Sequence, residues 1–291
     1  MNKLLKAQKL RVSAVQMDCK LGDINANAEK IYTLAHQAWK DGGAELVVFP
    51  ELSLTGYDNK EGFINLSIDI DDDIFDKLKE LSHQVALMIG MVEETPRSMA
   101  NYNSYGFLWQ GEFQALARKI YPPTYSMFEE QKHFAKGRRL APVEYKNFGF
   151  GPIICNDLWH PSISYLYHLM GVDVLVVPAT SSFGVEANGW SENKEIWASL
   201  IQFNAIVYGS FLIFINRAGS EAGLTFWGGS RIVNPFGAVL AEAEQENDCI
   251  VTAELDYGII RQARKFRPYH RDEDPRFTQR ELERIIKEYE Y

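Results

Sequence analysis

Cysteine is scarce in this chain, and the three that occur, Cys19, Cys155 and Cys249, lie far apart. They cannot build a disulfide framework, and their spacing fits no metal motif, so a reducing cytosol is the expected setting. Basic charge is in deficit as well: 30 Lys and Arg stand against 39 Asp and Glu, a formal net charge of -9. Nucleic acid and anionic membrane, which recruit basic surface, are not expected partners. No apolar run approaches the ~20 residues of a membrane-spanning helix. The opening Met1-Asn2-Lys3-Leu4-Leu5-Lys6 is interrupted by charge too soon for a signal peptide, so a cytoplasmic protein is expected. The acidic cluster Asp69–Asp73 has neither paired histidines nor a calcium-type glycine loop beside it. It reads as a solvated helix start that complements the helix dipole rather than as a metal site.

What the chain has is 46% hydrophobic and 24% charged residues over a length of 291, ordinary for a globular protein with ample core. Strand-like runs are predicted at Arg11–Met17, Leu46–Phe49, Val85–Val92, Tyr105–Gln110, Ala115–Ile120, Gly151–Cys155, Val174–Val177, Phe211–Asn216, Arg231–Asn234 and Ile250–Leu255. Continuous apolar stretches such as Val174-Leu175-Val176-Val177 suit strands covered on both faces. Between them, Ala26–Lys40 carries the stripe Ile31, Leu34, Ala35 and Ala38, with Gly42 as its C-terminal cap. Ser191 is the predicted N-cap of a helix over Glu192–Tyr208, whose apolar surface exceeds what one sheet face needs and could meet a second subunit. No linker, repeat or low-complexity stretch appears, so one α/β domain over 1–291 is expected. Arg261, Arg264, Lys265, Arg267 and Arg271 form a basic patch, expected to pair with acidic surface. Gly149-Phe150-Gly151 lacks the third glycine and opening helix of a dinucleotide fingerprint.

Three chemically complementary residues close three of these strands. Cys155 ends the run Phe150-Gly151-Pro152-Ile153-Ile154, where a thiol on a turn can be lifted clear of a sheet edge, although thiols are also common in cores. A free thiol titrates near ~8.5 and attacks as the thiolate, so it needs a base or a positive field. His160, His168 and His133 are the histidines nearest in sequence. Glu51, after Leu46–Phe49, is flanked by Phe49, Leu52 and Leu54, and desolvation there would suit it to proton exchange with a thiol. Lys119, before Ile120-Tyr121-Pro122-Pro123, would supply a fixed ammonium for oxyanion charge. Each has a bland alternative as a loop charge or surface lysine.

Taken with their neighbours these residues resemble the nitrilase superfamily of carbon–nitrogen hydrolases, whose signature is a Glu-Lys-Cys triad. Phe49-Pro50-Glu51-Leu52 with Thr55-Gly56-Tyr57 is similar to the Glu motif, Arg118-Lys119 to the Lys motif and Cys155-Asn156-Asp157-Leu158-Trp159 to the nucleophile motif. Phe128-Glu129-Glu130-Gln131-Lys132-His133-Phe134-Ala135-Lys136-Gly137 matches the stretch with a second, supporting Glu, at Glu130. Gly171-Val172-Asp173, Asn216-Arg217-Ala218-Gly219, Gly228-Gly229-Ser230 and Pro235-Phe236-Gly237 follow in the family's order. The match runs from about Arg11 to about Arg267, with 268–291 as a C-terminal extension.

The resemblance implies a four-layer α-β-β-α sandwich, usually dimerised through the helix after the Cys and the long later helix. It implies catalysis without metal or organic cofactor. Glu51 would be the base, Cys155 the nucleophile, and Lys119 with a backbone N–H beside Cys155 the oxyanion holder. Glu130 would orient the cluster or the substrate, or serve only as a structural ion pair. Asn156 stands where many relatives carry an acidic residue, and Asn156-Asp157 favours amides over nitriles. The local similarity extends to the glutamine-hydrolysing domain of NAD synthetases, in which Tyr57, Tyr125 and Ser182 match pocket positions. Phe183–Trp190 lacks the basic residue expected for a substrate carboxylate. The resulting expectation is a free-standing amidase acting on a small aliphatic amide or an N-carbamoyl compound. Alternatives are a nitrilase, a glutaminase subunit feeding a partner, and an inactive scaffold.

Overall fold

The computed structural model describes residues 8–57, 65–124, 129–183, 193–244 and 247–289. Its first half contains β1 (Lys9–Gln16), α1 (Ile24–Lys40), β2 (Leu46–Val48), α2 (Asp76–Leu81), β3 (Ala86–Glu94), β4 (Asn101–Trp109), β5 (Glu112–Arg118), α3 (Glu130–His133), β6 (Val143–Tyr145) and β7 (Phe148–Pro152). Then come α4 (Pro161–Leu169), β8 (Val174–Ala179), β9 (Ser182–Phe183), α5 (Asn193–Tyr208), β10 (Phe211–Asn216), β11 (Ala218–Glu221) and β12 (Leu224–Trp227). The chain continues through β13 (Arg231–Val233), β14 (Val239–Glu242), β15 (Cys249–Asp256), α6 (Tyr257–Phe266), α7 (Tyr269–Asp272) and α8 (Pro275–Tyr289). One six-stranded sheet is ordered β15-β1-β2-β3-β4-β5 and another β14-β13-β10-β8-β7-β6, with β11-β12-β9 as a small third sheet.

Alternation along each strand assigns its two faces to different layers. In β8, Val174 and Val176 join Met88, Phe107, Phe150 and Ile213 in the seam between the large sheets. Leu175 and Val177, one residue out of phase, pack instead with Ile163 and Tyr167 of α4 and Trp197 and Ile201 of α5. On the other side, Val47 and Leu87 meet Ile31, Ala35 and Ala38 of α1 and Leu78 and Leu81 of α2. The result is the α-β-β-α sandwich that the resemblance implies. Each fully buried Val, Leu or Ile contributes about 1.5–3 kcal/mol, and both faces of a central strand collect it.

Most strand expectations hold at their centres and shift at their ends, whereas the expected Gly151–Cys155 overlaps its strand only at Gly151 and Pro152. β5 stops at Arg118 and β7 at Pro152, so Lys119 and Cys155 stand just beyond the ladders rather than within them. The carbonyl of Lys119 is taken by the Gly137 N–H at 2.7 Å, which draws the chain out of the sheet. Gly43, with φ +66°, supplies the left-handed residue after α1 in place of the expected Gly42. Asp72 does start a helical segment, its side chain accepting from the Ile74 N–H. The predicted cap Ser191 lies outside the described residues. β6, β9, β11, β12 and β14 escape a pattern reading because they are short and carry few consecutive apolar residues. Arg264 of the basic patch pairs within its own chain, with Asp173 at 3.0 Å. Among the described residues no helix is long and apolar enough to cross a membrane.

Parallel pairing aligns the chain direction of β1, β2 and β3, and of β7, β8 and β10. The turns that leave β2, β7 and β8 therefore open on the same side, where α/β sheets place their sites. Gly90, within β3, makes room for the first of these turns. A Cβ there would stand 2.4 Å from the Leu52 N and 2.5 Å from the Pro50 O, both backbone atoms with no freedom to yield. Gly90→Ala should lower the unfolding free energy by about 1–3 kcal/mol, measured by urea denaturation. A stability equal to the parent's would contradict this packing.

Candidate active site

Each charged group of the site hangs from a different turn. Glu51 follows β2 and is fixed by its neighbours: Leu52 adopts φ +47°, and the Leu54 N–H bonds to the Gly90 carbonyl. Lys119 follows β5, its own N–H still paired with Asn103 O at 2.9 Å. Glu130 opens the short α3. Glu51, Lys119 and Glu130 are 1%, 1% and 5% exposed, so the three ionisable groups share one water-poor interior.

Their contacts form a chain centred on the ammonium. Lys119 Nζ donates to Glu51 Oε1 at 2.7 Å and to Glu130 Oε1 at 2.8 Å. Burial acts to push the lysine down, but Glu130 and Glu51 outweigh it and hold the ammonium well above its ordinary range. Asn103 Nδ2 adds a second donor to Glu51 Oε1 at 2.8 Å, and the Thr180 hydroxyl donates to Oε2 at 2.7 Å. Glu130 Oε1 also accepts from the Tyr57 hydroxyl at 2.9 Å, while its Oε2 has no hydrogen-bond partner among the described residues. Burial raises Glu130 to about 7, with Lys119 opposing the shift and Glu51 adding to it.

Cys155 stands on a strained turn. It opens a 3-10 segment, Cys155–Trp159, with φ +47°, a conformation that costs a non-glycine residue roughly 1–3 kcal/mol. The two residues after it tie this turn to the lysine loop. Asp157 accepts from the Tyr121 N–H at 2.8 Å and the Ile120 N–H at 3.1 Å, and Asn156 Nδ2 donates to Tyr121 O at 2.8 Å. Burial, with the charge of Glu51 added, holds the thiol well above its usual range despite Lys119 nearby. Its proton therefore stays on sulfur until a base removes it, and the base must be built in.

The cleft above the sulfur is small, ≈ 50 Å³, lined by Tyr57, Pro123, Glu130, Asn156, Trp159, Thr180, Ser181 and Trp197 among others. Glu51, Lys119, Glu130, Cys155 and Tyr57 are thus brought together as expected. Tyr125 lies outside the described residues. Ser182 sits in β9 with its carbonyl accepting from Asn193, and its neighbour Ser181 takes the cleft position instead. His160 stacks on Tyr121 with ring centroids 3.6 Å apart, at the edge of this region. Asn103 and Thr180 are not marked by the sequence reading, and the role of Asp157 as a backbone anchor is not visible in its motif. Thr180 could have been found, because it follows an apolar strand just as Glu51 does. Among the described residues no group of three or more His, Cys, Asp or Glu is arranged to hold a metal ion.

Residues 11–265 match the family model for carbon-nitrogen hydrolases. The glutamine-dependent NAD(+) synthetase of Synechocystis sp. is 29% identical over 265 residues, covering 86% of this chain and 47% of that protein. The chain thus spans about half the length of such curated relatives. A probable nitrilase of Schizosaccharomyces pombe is 27% identical over 266 residues, with 88% of this chain and 92% of the relative covered. The crystal structure of a carbon-nitrogen hydrolase from Helicobacter pylori superposes with a TM-score of 0.85 at 25% identity, covering 94% and 99% of the two chains.

The raised Glu130 couples stability to pH. The folded protein holds this proton to about 7, whereas an unperturbed glutamate releases it near 4.5. The stabilising contribution is complete below the lower value and is lost as pH rises toward the upper one. Glu130→Gln removes that dependence. Its urea midpoint should fall less than the parent's between pH ~4.5 and ~7.5; parallel profiles would count against a raised Glu130.

Proposed function

We propose that this chain, which belongs to the carbon-nitrogen hydrolase family, is a thiol amidase that cleaves a small linear amide or N-carbamoyl compound and releases ammonia. The observation that carries this reading is the buried Lys119 ammonium held between Glu51 and Glu130, in one cleft with a protonated thiol. Glu51 takes the Cys155 proton as Sγ attacks the amide carbon. The carbonyl oxygen becomes an oxyanion beside Lys119 and a backbone N–H next to Cys155. Removing one such donor from other hydrolases costs roughly 2.7–4 kcal/mol of barrier lowering. Glu51 then returns the proton to the departing nitrogen, the C–N bond breaks and ammonia leaves. Water activated by the same carboxylate cleaves the thioester and regenerates the thiol. None of these steps requires a metal or organic cofactor. Glu130, which lines the cleft beside Cys155, orients the scissile amide through its N–H.

Cleft chemistry supports a small, uncharged acyl group. Pro123, Trp159 and Trp197 make its wall apolar, and among the described lining residues none is Lys or Arg. A glutaminase is the second reading, favoured by the likeness to glutamine-dependent NAD(+) synthetases, but the α-carboxylate of glutamine would need a cation here. The working unit is a cytoplasmic homodimer. Leu166, Leu169 and Met170 at α4 and Ile196 and Phe203 of α5 leave apolar side chains exposed on one helical layer.

Ammonia release across aliphatic amides, N-carbamoyl amines, N-carbamoyl amino acids, glutamine and nitriles tests the assignment. Turnover is expected with one amide or carbamoyl class and none with nitriles, and Cys155→Ala should abolish it. Release from glutamine alone would support the second reading. Release that survives Cys155→Ala would overturn both.

A further inference from the structure

The two oxygens of Glu51 are held very differently. Among the described residues, Oε1 receives Lys119 and Asn103, both from the first sheet, while Oε2 receives the Thr180 hydroxyl, from the second. Thr180 also lies near the nucleophile, since both line the same cleft. One residue from the sheet that carries the thiol thus grips the base that the thiol needs.

The backbone of Thr180 is itself fixed on both sides. Before it, Ala179 closes β8 in register with Asn216, and the Arg217 N–H donates to the Ala179 carbonyl at 3.0 Å. After it, the Asn216 side chain spans Ser181, accepting from its N–H at 2.8 Å and donating to its carbonyl at 3.0 Å. A β-branched side chain on such a backbone has little χ1 freedom, so its hydroxyl is a directed donor and not a loose one.

We propose that Thr180 is a positioning residue of the reaction: its hydroxyl fixes the orientation of Glu51, the base that takes the Cys155 proton. This rests on the thiol-hydrolase reading, but it can be tested without knowing the substrate. A hydroxyl that merely satisfied a buried carboxylate oxygen would affect folding stability and leave thiol chemistry unchanged. Proton transfer geometry, by contrast, governs how fast the thiol meets an electrophile.

Iodoacetamide provides that readout. In the alkylation the Sγ–CH2 bond forms, the carbon–iodine bond breaks, iodide leaves and the thiol proton passes to Glu51. Rates at the Cys155 peptide, followed by mass spectrometry from pH 5 to 9, should fall ~10–100-fold in Thr180→Val, which keeps shape and loses the donor. The pH profile of the rate should change shape as well, because the proton then passes to a carboxylate held by one donor fewer. Thr180→Ser keeps the donor and should stay within about threefold of the parent, since one hydrogen bond is conserved. Thr180→Ala, which adds no bulk, should repeat the loss should the Val variant not fold. A parent-like rate and pH profile in Thr180→Val or Thr180→Ala overturns the proposal, and so does a Thr180→Ser variant as slow as Thr180→Val. A parent protein whose Cys155 reacts no faster than Cys249 overturns the hydrolase reading itself, a result distinguishable because it precedes any substitution.

Discussion

Everything in this site depends on one buried ammonium. Lys119 is 1% exposed and lies between two carboxylates that are nearly as buried. Desolvating three ionisable groups is costly, and the loss is recovered only when each finds close, directed partners. Removing one member of such a cluster leaves an uncompensated charge and costs about 3–5 kcal/mol. The interaction therefore constrains the fold as strongly as the chemistry. The turn after β2, the turn after β5 and the start of α3 must all arrive at the same point, or the cluster destabilises the protein it sits in.

That constraint explains why the nucleophile comes from the other sheet. The first sheet supplies Glu51 and Lys119 through β2 and β5, and the second supplies Cys155 and Thr180 through β7 and β8. Two sets of side-chain bonds sew the sheets together at this end. Asp157 and Asn156 hold the Ile120–Tyr121 backbone, and Thr180 holds Glu51. A more remote support runs through the small third sheet. Arg217, fully buried, pairs with Glu221, and Glu221 Oε1 accepts from the Tyr57 N–H at 2.8 Å. Tyr57 in turn donates its hydroxyl to Glu130. The Asn216-Arg217 segment thus reaches the cleft twice, once through Ser181 and once through Tyr57.

Most of the sandwich is legible in the sequence because two-sided burial writes continuous apolar runs, as in β8 and β10, and these survive without knowledge of their partners. The triad residues are legible for a related reason, since charge placed directly after such a run contradicts its surroundings. Strand limits are less so: β4 begins at Asn101, four residues before its apolar stretch, because Asn103 and Ser104 are buried through hydrogen bonds and not hydrophobicity. Asn103 and Asp157 act through backbone and side-chain partners distant in sequence, separations of 52 and 36 residues for Glu51 and Tyr121. Local pattern carries no record of such pairings. The place of Ser181 at the cleft has the same origin, since its partners Asn193, Asn216 and Trp227 are distant in sequence.

The two carboxylates beside Lys119 are chemically alike and placed to differ. Among the described residues, Glu51 accepts three hydrogen bonds across both oxygens, whereas Glu130 accepts two, both on Oε1, and its buried Oε2 has no partner. One ammonium cannot neutralise both, and burial raises Glu130 to about 7. Paired acids in unlike surroundings commonly divide their roles. In the proposed reaction the well-donated Glu51 cycles a proton with Cys155. Glu130 stands in the cleft wall beside the thiol, placed to meet the substrate while it holds Lys119. A substrate donor reaching Glu130 would favour its charged form and strengthen its hold on Lys119 when the ammonium must face a developing oxyanion. An amide carries such N–H donors beside its carbonyl, whereas a nitrile has none to offer.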